Sequence, residues 1–154
     1  MDTRLRKLDA GEGDAIILAC AGLKRLGFAS RISAPIPVDV CVPAPGQGII
    51  AIETRSDDTR TRSAVARLND QSARDAPAAE QAVVAALGGG CQLPLGAFAE
   101  INGKELRLRA VVAGLDGGRS VSAEINGHTS DAAALGWQLA EQLASRGARE
   151  LLHD

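Results

Sequence analysis

Hydrophobic and polar positions change their rhythm about halfway along the chain. Between residues 105 and 113 they alternate strictly, with Leu106, Leu108, Ala110 and Val112 on one side. A period of two is the mark of a strand with one buried face. Val121, Ala123 and Ile125 repeat the pattern in residues 119–125, and residues 97–101 form a shorter apolar stretch. Asn102-Gly103 and Asp116-Gly117-Gly118 lie between these runs as turn signals. Two segments of helical period flank them. Residues 75–87 place Ala79, Val83 and Leu87 on one face, with Pro77 expected in the first turn. Residues 130–146 place Leu135, Leu139 and Leu143 on one stripe, and Gly147 breaks it. The order α-β-β-β-α predicts a three-stranded antiparallel meander with helices over one face, an α+β domain.

The first half reads differently. Thr3 is placed to cap a short helix carrying Leu5 and Leu8 and ended by Gly11 in the left-handed conformation. Residues 14–19 are an uninterrupted apolar run after Asp14, the pattern of a strand buried on both faces of a parallel sheet. Residues 21–26 form a second short helix closed by Gly27, and residues 48–53 read as another buried strand leading into an Arg/Asp/Thr-rich helix. Residues 33–48 carry four of the six prolines, which predicts an extended connector or hinge. A helix–strand–helix piece needs a parallel neighbour, so this half is expected to be a fragment of a larger α/β fold.

Composition narrows the chemistry. The 154 residues carry a formal charge of −2, which lacks the electrostatic footprint of a duplex-binding protein. Aromatic residues are only 2% of the chain, namely Phe28, Phe98 and Trp137, too few for a single-strand stacking platform. No apolar run approaches the roughly 20 residues of a membrane span. The N-terminal residues lack the apolar segment of a signal peptide. Cys20, Cys41 and Cys91 are widely spaced, with no CxxC pair and no nearby histidine, so no metal site and no disulfide framework are expected. These features together suggest a cytoplasmic protein with reduced thiols.

Two features point to a ligand. Lysine occurs only at positions 7, 24 and 104, so 14 of the 17 basic residues are arginine. A planar guanidinium takes a carboxylate in a fork, which suits a polycarboxylate ligand. Arg4 and Arg25 stand near the edges of the apolar run 14–19, where α/β sheets place ligands. Cys91 follows three glycines and precedes Gln92-Leu93-Pro94. A thiol so placed is a candidate for a large covalent group; the plainer alternative is a small buried hydrophobe behind a glycine helix stop. Gln47, between Gly46 and Gly48, either offers an amide to a ligand or simply fills a turn. His128 and His153 stand apart from any nucleophile or acid that would make a catalytic set.

Four segments, in order, carry a resemblance: Asp2-Thr-Arg-Leu-Arg-Lys-Leu-Asp9, residues 14–27 (DAIILACAGLKRLG), Pro43-Ala-Pro-Gly-Gln-Gly48, and Gly88-Gly-Gly-Cys-Gln-Leu-Pro-Leu-Gly96. Together they resemble the porphobilinogen deaminase (hydroxymethylbilane synthase) family over nearly the whole chain. The resemblance implies a transferase of haem and tetrapyrrole biosynthesis. It joins four porphobilinogen molecules head to tail, with loss of ammonia, on a dipyrromethane primer. It implies a thioether from that cofactor to Cys91, and arginines matching Arg4 and Arg25 that bind the acetate and propionate groups of the growing chain. Ala19, Gly22 and Gln47 would line the cleft.

In fold, the resemblance implies that residues 1–42 end domain 2, one lobe of a periplasmic-binding-protein-like two-domain cleft. Residues 43–67 would be the hinge and the strand and helix returning to domain 1, and residues 68–154 domain 3. The family's catalytic aspartate and its paired arginines match no residue here, so no catalytic residue is expected in this chain. The chain alone is expected to be inactive, the N-terminal half to be its partner, and the whole enzyme to be a monomer. Gln81 stands where the family has arginine, which puts one ion pair in doubt. A non-catalytic interaction module and one half of a split enzyme are the alternatives.

Overall fold

The computed structural model describes residues 2–89 and 93–152. The chain divides into two compact units, Met1–Pro37 and Val38–Asp154.

The first unit holds two helices, α1 (Asp2–Asp9) and α2 (Cys20–Arg25). Leu5 and Leu23 are its buried side chains. Gly11 and Gly27 follow the two helices with φ of +76° and +80°, as the pattern predicts. Thr3 lies inside α1 rather than ahead of it. Arg31 reaches back to Asp9 in an ion pair.

Residues 14–19 are not a strand. The run pairs with no other strand among the described residues, and Ile17 is 70% exposed. Residues 48–53 are also unpaired, with Ile50 75% exposed. A β-strand exists through the neighbour that satisfies its amides and carbonyls. Among the described residues neither run has one, so apolar sequence alone leaves them as open chain.

The second unit contains α3 (Thr59–Val65), α4 (Ser72–Ala86), β1 (Leu95–Asn102), β2 (Glu105–Ala113), β3 (Ser120–His128), α5 (Ala132–Ser145) and α6 (Ala148–Leu151). Asp58 caps α3, its carboxylate accepting from the Thr61 amide at 2.9 Å and the Thr61 hydroxyl at 2.8 Å. The strands form an antiparallel meander in the order β1-β2-β3, with Ala97 opposite Ala110 and Ala110 opposite Ala123. The first hairpin turns on Gly103-Lys104, one residue later than the sequence signal. Gly103 is in the left-handed region, with φ +61°.

Helices α4 and α5 cover one face of this sheet. Leu106, Leu108, Ala110 and Val112 of β2 pack there with Val83, Leu139 and Leu143. The period-two and period-four patterns thus met as predicted. Helix α4 starts a turn earlier than expected, which puts Pro77 inside it. Pro77 has no N–H to give the Ala73 carbonyl, and the early turn is held instead by Asp70, whose side chain accepts from the Ala73 amide at 2.9 Å.

The other face of the sheet is polar. Glu124 on β3 accepts from Arg107 Nε at 2.9 Å and Arg109 Nε at 2.6 Å, both on β2. Arg109 also pairs with Asp39. These contacts tie the start of the second unit's chain to its own sheet.

Candidate functional site

Helix α4 ends just before the glycine-flanked cysteine, and its end is fully accounted for. The Gly88 amide donates to the Ala85 carbonyl at 3.3 Å and the Gly89 amide to the Val84 carbonyl at 2.9 Å. This double closure is a Schellman motif. It needs a left-handed residue after the cap, and Gly88 has φ +109°. Among the described residues a β-carbon built on Gly88 or Gly89 would meet nothing within 4 Å. Conformation, rather than lack of room, therefore demands glycine at these two positions. Cys91, the cysteine singled out as a covalent attachment point, lies outside the described residues. Cys20 is half-buried and Cys41 exposed; both are free thiols.

The proline-rich segment reaches its glycines through two consecutive turns. The Gln47 amide donates to the Ala44 carbonyl at 3.0 Å, and the Ile49 amide to the Gly46 carbonyl at 3.2 Å. Pro45 and Gly46 (φ +74°) occupy the middle of the first turn, Gln47 and Gly48 (φ +88°) the middle of the second. Proline first and left-handed glycine second is the type II pattern. The side chain of Gln47 is exposed on this double turn.

What holds the turn in place is a residue the sequence pattern did not single out. Glu80 of α4 is 4% exposed, the one buried charged side chain among the described residues. One of its oxygens accepts from the Gly46 amide at 2.6 Å, the other from the Ala99 amide at 2.8 Å. Burial pushes its carboxyl above the usual range, and the two amide hydrogen bonds pull against that. The signal was present: a lone acid between Ala79 and Val83 on an otherwise apolar helix face is costly unless partnered.

The remaining candidates lie in the first unit. Arg4 is exposed on α1 and Arg25 exposed in the last turn of α2. Neither takes part in an ion pair among the described residues. Ala19 precedes α2 as its N-cap, its carbonyl accepting from the Leu23 amide at 3.3 Å, and Gly22 is half-buried within the helix. Among the described residues no buried side-chain polar atom lacks a partner. The guanidinium groups of Arg4 and Arg25 are exposed and make no ion pair among the described residues, and such a fork suits a carboxylate. Among the described residues no group of acids, cysteines and histidines could hold a metal ion, and no helix is long and apolar enough to cross a membrane.

Two successive domain families match this chain. Residues 1–63 match "Porphobilinogen deaminase, dipyromethane cofactor binding domain" and residues 76–145 match "Porphobilinogen deaminase, C-terminal domain". The chain belongs to the porphobilinogen deaminase family. A porphobilinogen deaminase of Roseiflexus sp. (strain RS-1) is 50% identical to it over 152 residues. That alignment takes in 99% of this chain and 50% of the relative, so the chain spans about half the length of the protein it matches.

Proposed function

We propose that the chain is the C-terminal half of a hydroxymethylbilane synthase, a transferase that joins porphobilinogen units with release of ammonia in tetrapyrrole biosynthesis. The observation that carries this reading is the ordered match of two consecutive porphobilinogen deaminase domains along one chain, residues 1–63 and then 76–145. In this reading residues 1–42 complete domain 2 of a periplasmic-binding-protein-like cleft. Residues 43–67 are the hinge and the return toward domain 1, and residues 68–154 are domain 3.

Cys91 is the proposed anchor, through a thioether, for a dipyrromethane group. When bound, that group supplies the primer to which pyrroles are added. Arg4 and Arg25 bind acetate and propionate carboxylates, the task for which an exposed, unpaired guanidinium fork is suited. Gln47 offers an amide donor and acceptor from the double turn, and Ala19 and Gly22 contribute small surface beside α2. The structure supports the donor chemistry of Arg4, Arg25 and Gln47, all of them exposed.

None of these residues is a general acid or base. The proposal therefore includes that these 154 residues alone do not turn over porphobilinogen, and that the N-terminal half is the required partner.

The test is a mixing experiment. The purified chain is combined with a separately expressed N-terminal half of the Roseiflexus relative and supplied with porphobilinogen. A dipyrromethane-sized mass increase on the peptide containing Cys91, absent from Cys91→Ser, is the expected result. A mixture that makes hydroxymethylbilane with Cys91 unmodified would overturn the assignment of the anchor. Turnover by the chain alone would overturn the requirement for a second half.

A further inference from the structure

Three separate contacts hold the segment from Asp39 to Gly46, two against the sheet and one against α4. Asp39 pairs with Arg109 on the polar face. The Pro43 carbonyl accepts from the Ala97 amide at 3.0 Å. The Gly46 amide donates to Glu80 at 2.6 Å. The Pro43 contact uses the free edge of β1, whose outward amides include those of Ala97 and Ala99. An exposed edge presents unpaired backbone donors; here the first is taken by the Pro43 carbonyl and the second by the Glu80 carboxylate.

Glu80 therefore sits at a junction. It belongs to α4, its Oε1 accepts from the Ala99 amide on the edge of β1, and its Oε2 holds Gly46 of the first turn in the proline-rich segment. An ionised carboxylate is costly in a site only 4% exposed unless its oxygens are hydrogen-bonded. Here both oxygens accept from backbone amides on different segments. The residue after Gly46 is Gln47, whose side chain is exposed and whose backbone is set by the two turns.

We propose that Glu80 is a positioning residue: its carboxylate clasps the Ala44–Ile49 double turn to α4 and β1 and so fixes where the Gln47 amide is presented to substrate. The inference rests on the reading of Gln47 as a residue of the substrate cleft. It adds the group that holds Gln47 in place. A glutamine at position 80 has the same shape but only one acceptor, so its NH2 would face one of the two amide donors. An aspartate keeps the charge but is a methylene shorter, and cannot span both amides.

The experiment uses the 154-residue chain labelled with 15N, as wild type, Glu80→Gln and Glu80→Asp. In the wild type the short, charge-assisted bond places the Gly46 amide proton downfield and slows its exchange. In either variant that folds, the Gly46 proton moves upfield and exchanges about tenfold faster or more, while the Leu108 and Ala110 amides keep their protection. Gly46 signals unchanged in the variants would overturn the clasp. So would acceleration of Gly46, Leu108 and Ala110 by one common factor, which marks general destabilisation. The Gln47 reading is tested separately, with Gln47→Ala in the mixing experiment: attachment at Cys91 and pyrrole addition at the wild-type KM would remove Gln47 from the cleft. Such a result would overturn the positioning role for substrate even with the Gly46 signature intact, whereas an unmoved Gly46 signal in Glu80→Gln overturns the clasp itself.

Discussion

Gly136 of α5 lies directly against the backbone of Ala79 in α4. A β-carbon built on Gly136 would collide with the Ala79 carbonyl oxygen and stand 2.5 Å from the Ala82 β-carbon. Glycine at this one helical position lets the two helices that cover the sheet approach at backbone distance. Alanine would be the better helix former, by about 1 kcal/mol. The collision is with backbone, which cannot swing away, so the steric cost wins. Gly136→Ala is expected to lower stability by about 1–3 kcal/mol, read as a lower urea midpoint with an unchanged slope.

The core under those helices is the unit's main source of stability. Leu108 on β2 and Leu139 on α5 are both fully buried. Leu108→Ala or Leu139→Ala is expected to cost about 2–5 kcal/mol, transfer and cavity terms together. Chemical denaturation followed by Trp137 fluorescence measures it. A loss below 1 kcal/mol, on the order of a conservative core swap, would contradict the packing described.

Acid sensitivity should come partly from the polar face of the sheet. The hydrogen bond from Arg107 and then that from Arg109 hold the Glu124 carboxyl below its ordinary value of 4.5. Between the lowered value and 4.5 the unfolded chain binds more protons than the folded one, so stability rises with pH across that window. It is lost as pH falls through the folded value. Glu124→Gln should flatten this part of the stability profile. The check is urea denaturation of both proteins at a series of pH values from 4.5 downward; identical slopes would count against the linkage.

Backbone protection should be sharply uneven. Residues 50–53 and 15–19 donate no backbone hydrogen bond among the described residues, while the amides of β2 are paired on both sides. Hydrogen exchange of the chain should show residues 15–19 and 50–53 exchanging near the unprotected rate and Leu108 close to the global limit. Strong protection at Ile17 or Ile52 would show that these runs are paired in solution.

The α+β half was readable because its contacts repeat with the chain's own period. Leu106, Leu108, Ala110 and Val112 announced an inward face two residues at a time, and Leu135, Leu139 and Leu143 announced the helix stripe that meets it. Apolar character alone misled at residues 14–19 and 48–53, since a run of Ile, Leu and Ala says nothing about whether a pairing edge is within reach. The boundary of α4 slipped because Pro77 reads locally as a helix start, whereas the Asp70 cap and the packing of the helix tolerate one missing donor.

At the candidate site, the motifs named residues without placing them. Residue type and setting point to Arg4, Arg25 and Gln47, and the structure adds that all three are exposed. Glu80 escaped because its worth is in amides 34 and 19 residues away, which no local spacing reveals. The sequence by itself determined the strand and helix faces, the helix-ending glycines and the family, because these are written in short-range periodicity and in motif order. Only the tertiary structure decided that a buried carboxylate would join α4, the edge of β1 and the proline-rich turn, because a hydrogen bond between distant segments exists only once the chain has brought them together.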